Sequence, residues 1–222
     1  MIAAMAAESG LRERKKLRTH QQIADAAFRL FAERGFDGVT VVEVAREADV
    51  SEATVFNYFP NKEDLVYHRM QAFEEQMLSA IRERPEDQSL LEAFGAFVLV
   101  PRGSLAATDD QATEGLRAIA RIITGSPALL AHERGIYERY TLALAAQIAE
   151  ENSLSPDDLE PWVMANALIG LHRALIDYVR RRILDGAENK RIAREVRTHG
   201  RRALALLAGG IASDRLITSR RR

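Results

Sequence analysis

Residues 40–65 read TVVEVAREADVSEATVFNYFPNKEDL, and the fold turns on how this stretch divides. Thr40 and Glu43 have capping-box spacing, and Val41, Val44, Ala45 and Ala48 fall at i, i+3, i+4 and i+7, which predicts a helix of about two turns opening at Thr40. Asp49-Val50-Ser51 breaks it. A third short helix is predicted over Glu52–Phe59, and Pro60 ends it, because the residue before a proline is pushed out of helical conformation. Two short helices around a tight turn have the layout of a helix-turn-helix.

That layout makes a geometric prediction. If Val55 and Phe59 point inward, Ala53 and Asn57 point directly away, Thr54 and Phe56 flank them, and Tyr58 lies near the edge of the buried face. The outward face then offers a small residue that permits close approach, an amide and a hydroxyl able to bond base edges, and an aromatic able to touch a thymine methyl. Lys62 adds a cation at the predicted start of a fourth helix, where it opposes the macrodipole, and a phosphate backbone running past Thr40, Tyr58 and Lys62 would resolve that conflict. The bland reading is equally open at this point. Phe56 and Tyr58 also suit a plain core, and Glu63 and Asp64 beside Lys62 can offset its charge.

Outward from this stretch the chain reads as all-α, with about nine helices. The first is predicted from about Thr19 to Arg34, with Gly35 as a left-handed C-cap and Phe36 folding back on the last turn. Asn61 is expected to cap a long fourth helix from Lys62 to about Arg84. Further helical blocks follow at roughly 88–100, 110–124, 127–151, 157–185 and 188–212, with Ser126-Pro127 and Ser155-Pro156 each read as an N-cap followed by proline in the first helical position. Strand-like alternation and internal repeats are lacking.

Composition excludes several classes. The 222 residues are 47% apolar, ample for a core. With no cysteine, disulfides, iron–sulfur ligation and thiol nucleophiles are ruled out, and the five histidines are scattered without metal-site spacing, so neither a metal nor a cofactor is expected. The leading MIAAMAAESG reads as a disordered leader, and no segment approaches about 18 uninterrupted apolar residues, so a cytoplasmic protein without membrane partners is expected. A formal net charge of −1 argues against a protein that coats nucleic acid, although Arg12, Arg14, Lys15, Lys16 and Arg18 cluster near one end and Arg220–Arg222 close the other.

The run Thr40–Leu65, together with Phe31-Ala32-Glu33-Arg34-Gly35-Phe36 before it, resembles the signature of the TetR family of bacterial transcriptional regulators. A Thr opens the second helix, Val-Ser stands at the turn, Thr-aliphatic-aromatic and Tyr-Phe mark the third helix, and a Lys–acidic–Leu run opens the fourth. The resemblance covers about residues 18–66. One departure is Asp49 where the family usually has glycine; Asp tolerates a left-handed turn better than most residues, so the turn is expected to be kept.

The resemblance implies a set of roles. Thr40, Tyr58 and Lys62 would contact phosphates. Ala53, Thr54, Phe56 and Asn57 would face the bases, with Ser51 at the turn among the DNA-binding residues. It also implies a homodimer on a palindromic double-stranded operator, and a small-molecule effector among the middle helices, with candidate residues Phe94, Phe97, Arg117, Arg121, Tyr137, Trp162, Asn166, His172 and Arg173. His172 inside an apolar helix is also explained by a buried carboxylate such as Asp177. The apolar circumference of residues 162–176, with Gly170 and Ala174 permitting close approach, fits burial on two faces.

The expected organisation is a basic arm at 1–18, a DNA-binding domain at 19–66, a ligand-binding and dimerisation domain at 67–212 and a basic tail at 213–222. The expected function is a repressor released from its operator by its effector. The alternatives are an activator of the same fold, a non-specific or architectural DNA-binding protein and, from another class, an enzyme with an accessory helix-turn-helix. For the last, no nucleophile–base pair or phosphate loop is present in the sequence.

Overall fold

A computed structural model describes residues 2–106, 109–155 and 157–209, without the side chains of 2–11, 69, 71 and 104. The basic tail at 213–222 therefore lies outside the described residues. Among them are ten α-helices, two short 3-10 turns and no strand. The chain divides into two compact units. One takes the residues up to Gln71 together with Arg121–His132, and the other Ala72–Ala120 and the chain from Glu133 onward.

In the first unit, α1 (Ile2–Arg34) begins well before Thr19. The expected leader and basic arm are thus helical in backbone, which corrects the sequence reading. Nothing but Gly10 interrupts the Ala-, Glu-, Arg- and Leu-rich run before Thr19, so propensity carries the helix back. Gly35 (φ +73°) closes α1, its N–H donating to the Phe31 carbonyl at 2.9 Å, and the buried Phe36 packs on Phe31 with ring centroids 5.1 Å apart.

Helix α2 (Val41–Glu47) carries the predicted capping box between Thr40 and Glu43. Helix α3 (Glu52–Tyr58) is capped by Ser51, whose hydroxyl accepts from the Thr54 N–H at 3.1 Å. Between them Asp49 is left-handed (φ 51°), so the turn is kept without glycine. Ile23, Ala27, Phe31, Val39, Val44, Val55, Phe59 and Leu65 are all buried in this unit.

The fourth helix is not one piece. It is divided into α4 (Asp64–Tyr67), a 3-10 turn at His68–Met70 and α5 (Gln71–Arg82). The His68 ring nitrogen lies 3.2 Å from the Leu65 carbonyl, a side-chain bond that competes with the helical ladder where it tightens. Asn61 does cap the start, accepting from the Asp64 N–H at 2.9 Å.

The segment 121–132 is held in this unit by three polar contacts. Ser126 Oγ donates to Asp37 at 2.9 Å, the Tyr67 hydroxyl donates to the Leu129 carbonyl at 3.1 Å, and His132 lies 3.4 Å from the Asp64 carboxylate. Sequence distance hides this grouping, because the segment comprises the end of α7 (Asp110–Thr124) and the start of α8 (Pro127–Glu151).

The second unit is built from α5, α6 (Leu90–Val98), most of α7 and α8, α9 (Leu159–Leu184) and α10 (Asn189–Gly209). Its core includes Leu99, Leu175, Ile183, Ile192 and Val196, where α9 and α10 pack together and Leu99 presses against Gly200. Ser155 does not cap α9. Asp158 precedes the helix, and its carboxylate instead accepts from the Ser155 N–H at 2.7 Å, so the turn consumes the serine locally. On α9, Ala165, Leu168, Ile169, His172 and Leu175 are buried, while Val163, Met164, Ala167, Gly170 and Ala174 on the opposite side are exposed.

Candidate functional site

The helix-turn-helix presents its third helix as the helical period predicts. Val55 and Phe59 are each 1% exposed, whereas Ala53, Asn57 and Phe56 (43% exposed) stand in the open. Thr54 is half-buried, its hydroxyl 2.7 Å from that of Ser51. Tyr58 lies at the edge, in contact with the His20 ring at 6.3 Å, and His20 in turn packs on Phe59 at 4.5 Å. Burial holds His20 below the usual histidine pKa.

The flanking residues are engaged within the unit. The Thr40 hydroxyl and N–H both donate to the Glu43 carboxylate at 2.8 Å, and Arg34 pairs with Glu43 at 2.8 Å. The Arg34 hydrogen bond, followed by those from Thr40, brings the Glu43 carboxyl down to about 2. Lys62 does not sit in a first helical turn, since α4 begins at Asp64. Its ammonium donates to the Phe36 carbonyl at 2.6 Å and lies 4.0 Å over the Phe36 ring. The expected conflict with a helix dipole is replaced by a tertiary clamp that uses one of three N–H donors.

In the second unit, Phe94 and Phe97 are buried, and Tyr137 and His172, each 5% exposed, meet at 6.0 Å. His172 does not pair with Asp177, which lies 3.4 Å from Arg180 instead, while Arg180 binds Glu133 at 2.5 Å. His172 stacks on Phe73 at 4.5 Å and 15°. Desolvation, aided by the charge of Arg102, lowers its pKa to about 4, so the ring is neutral at neutral pH.

The remaining effector candidates lie elsewhere. Arg117 is half-buried and paired with Glu114, and Arg121 is exposed and belongs to the first unit. Trp162 is half-buried, Asn166 is exposed with its amide donating to the Trp162 carbonyl at 2.8 Å, and Arg173 is exposed. Two residues missed in the sequence join the cluster, Phe73 and Arg102. Phe73 is foreshadowed by the apolar spacing Phe73, Met77, Ile81; Arg102, in a loop, has no sequence signal. A separate groove of about 440 Å³ runs between α6 and α10 beside Leu91, Gly95, Leu99, Arg197, Arg201 and Leu204, and none of the predicted effector residues lines it.

Comparison with known proteins covers both units. Residues 23–68 match the family described as bacterial regulatory proteins, tetR family, and residues 90–209, more than half of the chain, match the MftR C-terminal domain. The chain belongs to the TetR family. It is a DNA-binding transcriptional regulator.

The HTH-type transcriptional regulator TcmR of Streptomyces glaucescens is 32% identical over 155 residues, 67% of each chain. MftR of Mycobacterium tuberculosis, whose name ties it to mycofactocin biosynthesis, is 27% identical over 165 residues, 71% of this chain and 78% of that one. Among solved structures, native NalD of Pseudomonas aeruginosa superposes with a TM-score of 0.54 at 18% identity, over 85% of this chain and 97% of NalD, a likeness of fold alone. No described helix of this TetR-family chain is long and apolar enough to cross a membrane.

Proposed function

We propose that this TetR-family regulator is a homodimeric repressor that holds a palindromic operator through α3 and releases it when a small molecule enters the second unit. In this reading residues 19–66 bind DNA and 67–212 bind the effector and the partner subunit. The observation that carries it is the open face of α3. Ala53, Phe56 and Asn57 project from a rigidly capped helix, and the Asn57 amide has no hydrogen-bond partner among the described residues, so it is free to bond a base edge. Thr54 flanks that face, Ser51 fixes its start, and Thr40, Tyr58 and Lys62 border it where the phosphate backbone would pass.

Dimerisation follows from size. A recognition helix of about two turns reads few base pairs, and useful specificity comes from two half-sites about one helical turn apart. The exposed stripe Val163, Ala167, Gly170, Ala174 on α9, spaced i, i+4, i+7, i+11, gives a second copy a small-residue surface for close helix packing.

The test is selection of genomic fragments by the purified protein at near-physiological salt, with Tyr58→Ala in parallel. Recovery of a few palindromic sites, lost in the variant, is the expected result. Fragments without a shared motif would reduce the activity to charge-driven binding and overturn the operator reading.

A further inference from the structure

Helix α10 carries Lys190, Arg191, Arg194, Arg197, Arg201 and Arg202 against a single carboxylate, Glu195. That carboxylate is taken by Arg182 and Arg191, each at 2.9 Å. Lys190, Arg194, Arg197 and Arg201 are exposed, and their side chains have no ion-pair or hydrogen-bond partner among the described residues. Their spacing, i, i+4, i+7 and i+11, places all four on one face over about 16 Å of helix. Like charges three and four residues apart repel, and Lys190 in the first turn opposes the helix dipole. So concentrated a stripe is unfavourable in the isolated chain, and an acidic partner would relieve it.

The stripe borders the groove of about 440 Å³ between α6 and α10, and Arg197 and Arg201 form part of its wall. Ala96, Val100, Ala205 and Ala208 in the same groove are exposed, which leaves it an apolar floor of mostly small side chains. Glu92, its one carboxylate, is committed to capping α6, where it accepts from the Ser89 N–H and hydroxyl at 2.9 and 2.7 Å. The edge of α10 that meets α9 is a different one. The Tyr178 hydroxyl of α9 donates to Glu195 at 2.9 Å, and the Tyr178 and His199 rings lie 5.3 Å apart. At about 100° per residue, Glu195 and His199 stand largely opposite the stripe.

We propose that the stripe and the groove together dock an acidic amphipathic helix of another protein, its leucine-type side chains in the groove and its carboxylates along Lys190, Arg194, Arg197 and Arg201. Charge and shape carry the choice of occupant. A helix laid along α10 repeats at the same i, i+4, i+7, i+11 interval, so a carboxylate can stand opposite each cation while the neighbouring apolar positions fill the groove. The small floor at Ala96, Ala205 and Ala208 lets its backbone come close. The apolar contact supplies affinity, and the exposed cations supply orientation and a faster encounter. A nucleic-acid backbone would satisfy the cations but leave the apolar floor wet. The chain's own residues 210–222, with four arginines to one aspartate, carry the wrong charge. A second copy is given the stripe Val163–Ala174 of α9 in the reading above. The surface goes beyond operator binding and effector release, since it gives the regulator a protein ligand.

The test uses the full-length protein and a fluorescein-labelled helical peptide with glutamates at i, i+4, i+7 and i+11, leucines one position after each, and alanine and glutamine elsewhere. Anisotropy at near-physiological salt should show saturable binding. A peptide with lysine for glutamate, and one with glutamine for leucine, should each bind about tenfold more weakly or worse. The double variant Arg197→Glu with Arg201→Glu should lose the glutamate peptide by about tenfold and gain the lysine peptide, an exchange that a merely misfolded protein would not produce. A random DNA duplex should not displace the peptide, and light scattering should give the double variant the size of the wild type. No saturation by the glutamate peptide, indifference to its charge or its leucines, or unchanged binding in the double variant overturns the proposal. So does displacement by the duplex, which would assign the stripe to phosphate, and so does a changed oligomeric state, which would assign it to contacts between copies.

Discussion

Burial of His172 makes stability depend on pH in a way that one substitution isolates. Its folded pKa of about 4 lies below the ordinary 6.5, so over that interval the unfolded chain binds a proton that the folded chain refuses. Because the unfolded state binds more protons, stability rises with pH there; the contribution is whole above 6.5 and is lost as pH falls toward 4. The limiting loss is about 2.5 pK units at about 1.4 kcal/mol each, or about 3 kcal/mol, and about 2 kcal/mol of it is gone by pH 5. His172→Phe keeps a flat ring against Phe73 without a titrating group, so it shifts stability by a constant but removes this slope. Urea unfolding of both proteins at pH 7, 6 and 5, followed by circular dichroism, gives the difference directly. The wild type should lose about 2 kcal/mol more than the variant between pH 7 and 5. Parallel curves would mean that His172 is protonated or solvated in the folded protein, and the stacked, neutral cluster would be refuted.

Other perturbations probe the DNA face and its supports. Asn57→Ala should cost roughly 1–3 kcal/mol at one or two operator positions and relax discrimination there, read by competition binding against single-base operator variants. Lys62→Ala should weaken binding to all sequences alike and, because the ammonium also clamps Phe36, lower the melting free energy by about 1 kcal/mol. Asp49→Gly relieves a left-handed non-glycine turn and should raise stability by about half a kcal/mol in thermal unfolding, with operator affinity unchanged. Val163, 57% exposed on α9, tests the dimer: Val163→Arg would bury an unpaired charge at a cost of several kcal/mol, and light scattering should show a monomer that no longer holds the palindrome. A Val163→Arg dimer would place the interface elsewhere.

The DNA-binding half was legible because its signals are local. The Thr40–Glu43 box, Gly35 and Asp49 in left-handed turns, and the inward pair Val55 and Phe59 each follow from residues within a few positions of one another. What the sequence could not show depends on contacts across long stretches of chain. Read locally, Lys62 opens the helix that follows it, yet its geometry is set by Phe36, 26 residues earlier. The second unit is worse in this respect. Phe73 meets its stacking partner His172 about a hundred residues later, Arg102 sits in a loop of no pattern, and Asp177, one carboxylate the sequence offers the histidine, is taken by Arg180. Helical periodicity says that such residues face inward, not which of them face each other.

The DNA face itself divides into held flanks and an open centre, and this division bears on how it would bind. Thr40 is tied to Glu43, Lys62 to Phe36, and Tyr58 rests beside His20, so the side chains proposed to touch phosphate have their rotamers set before DNA arrives. Ordering such side chains at an interface otherwise costs roughly 0.5–1.5 kcal/mol each, which pre-organisation removes from the binding step. Thr40 carries an opposing cost, since its hydroxyl must leave Glu43 to meet a phosphate and the carboxylate stays close by. The Arg34–Glu43 pair answers that cost by neutralising the carboxylate at the corner where a phosphate would pass. In the proposed reading, specific recognition then falls to Ala53, Phe56 and Asn57, which are exposed and whose side chains have no hydrogen-bond or ion-pair partner among the described residues.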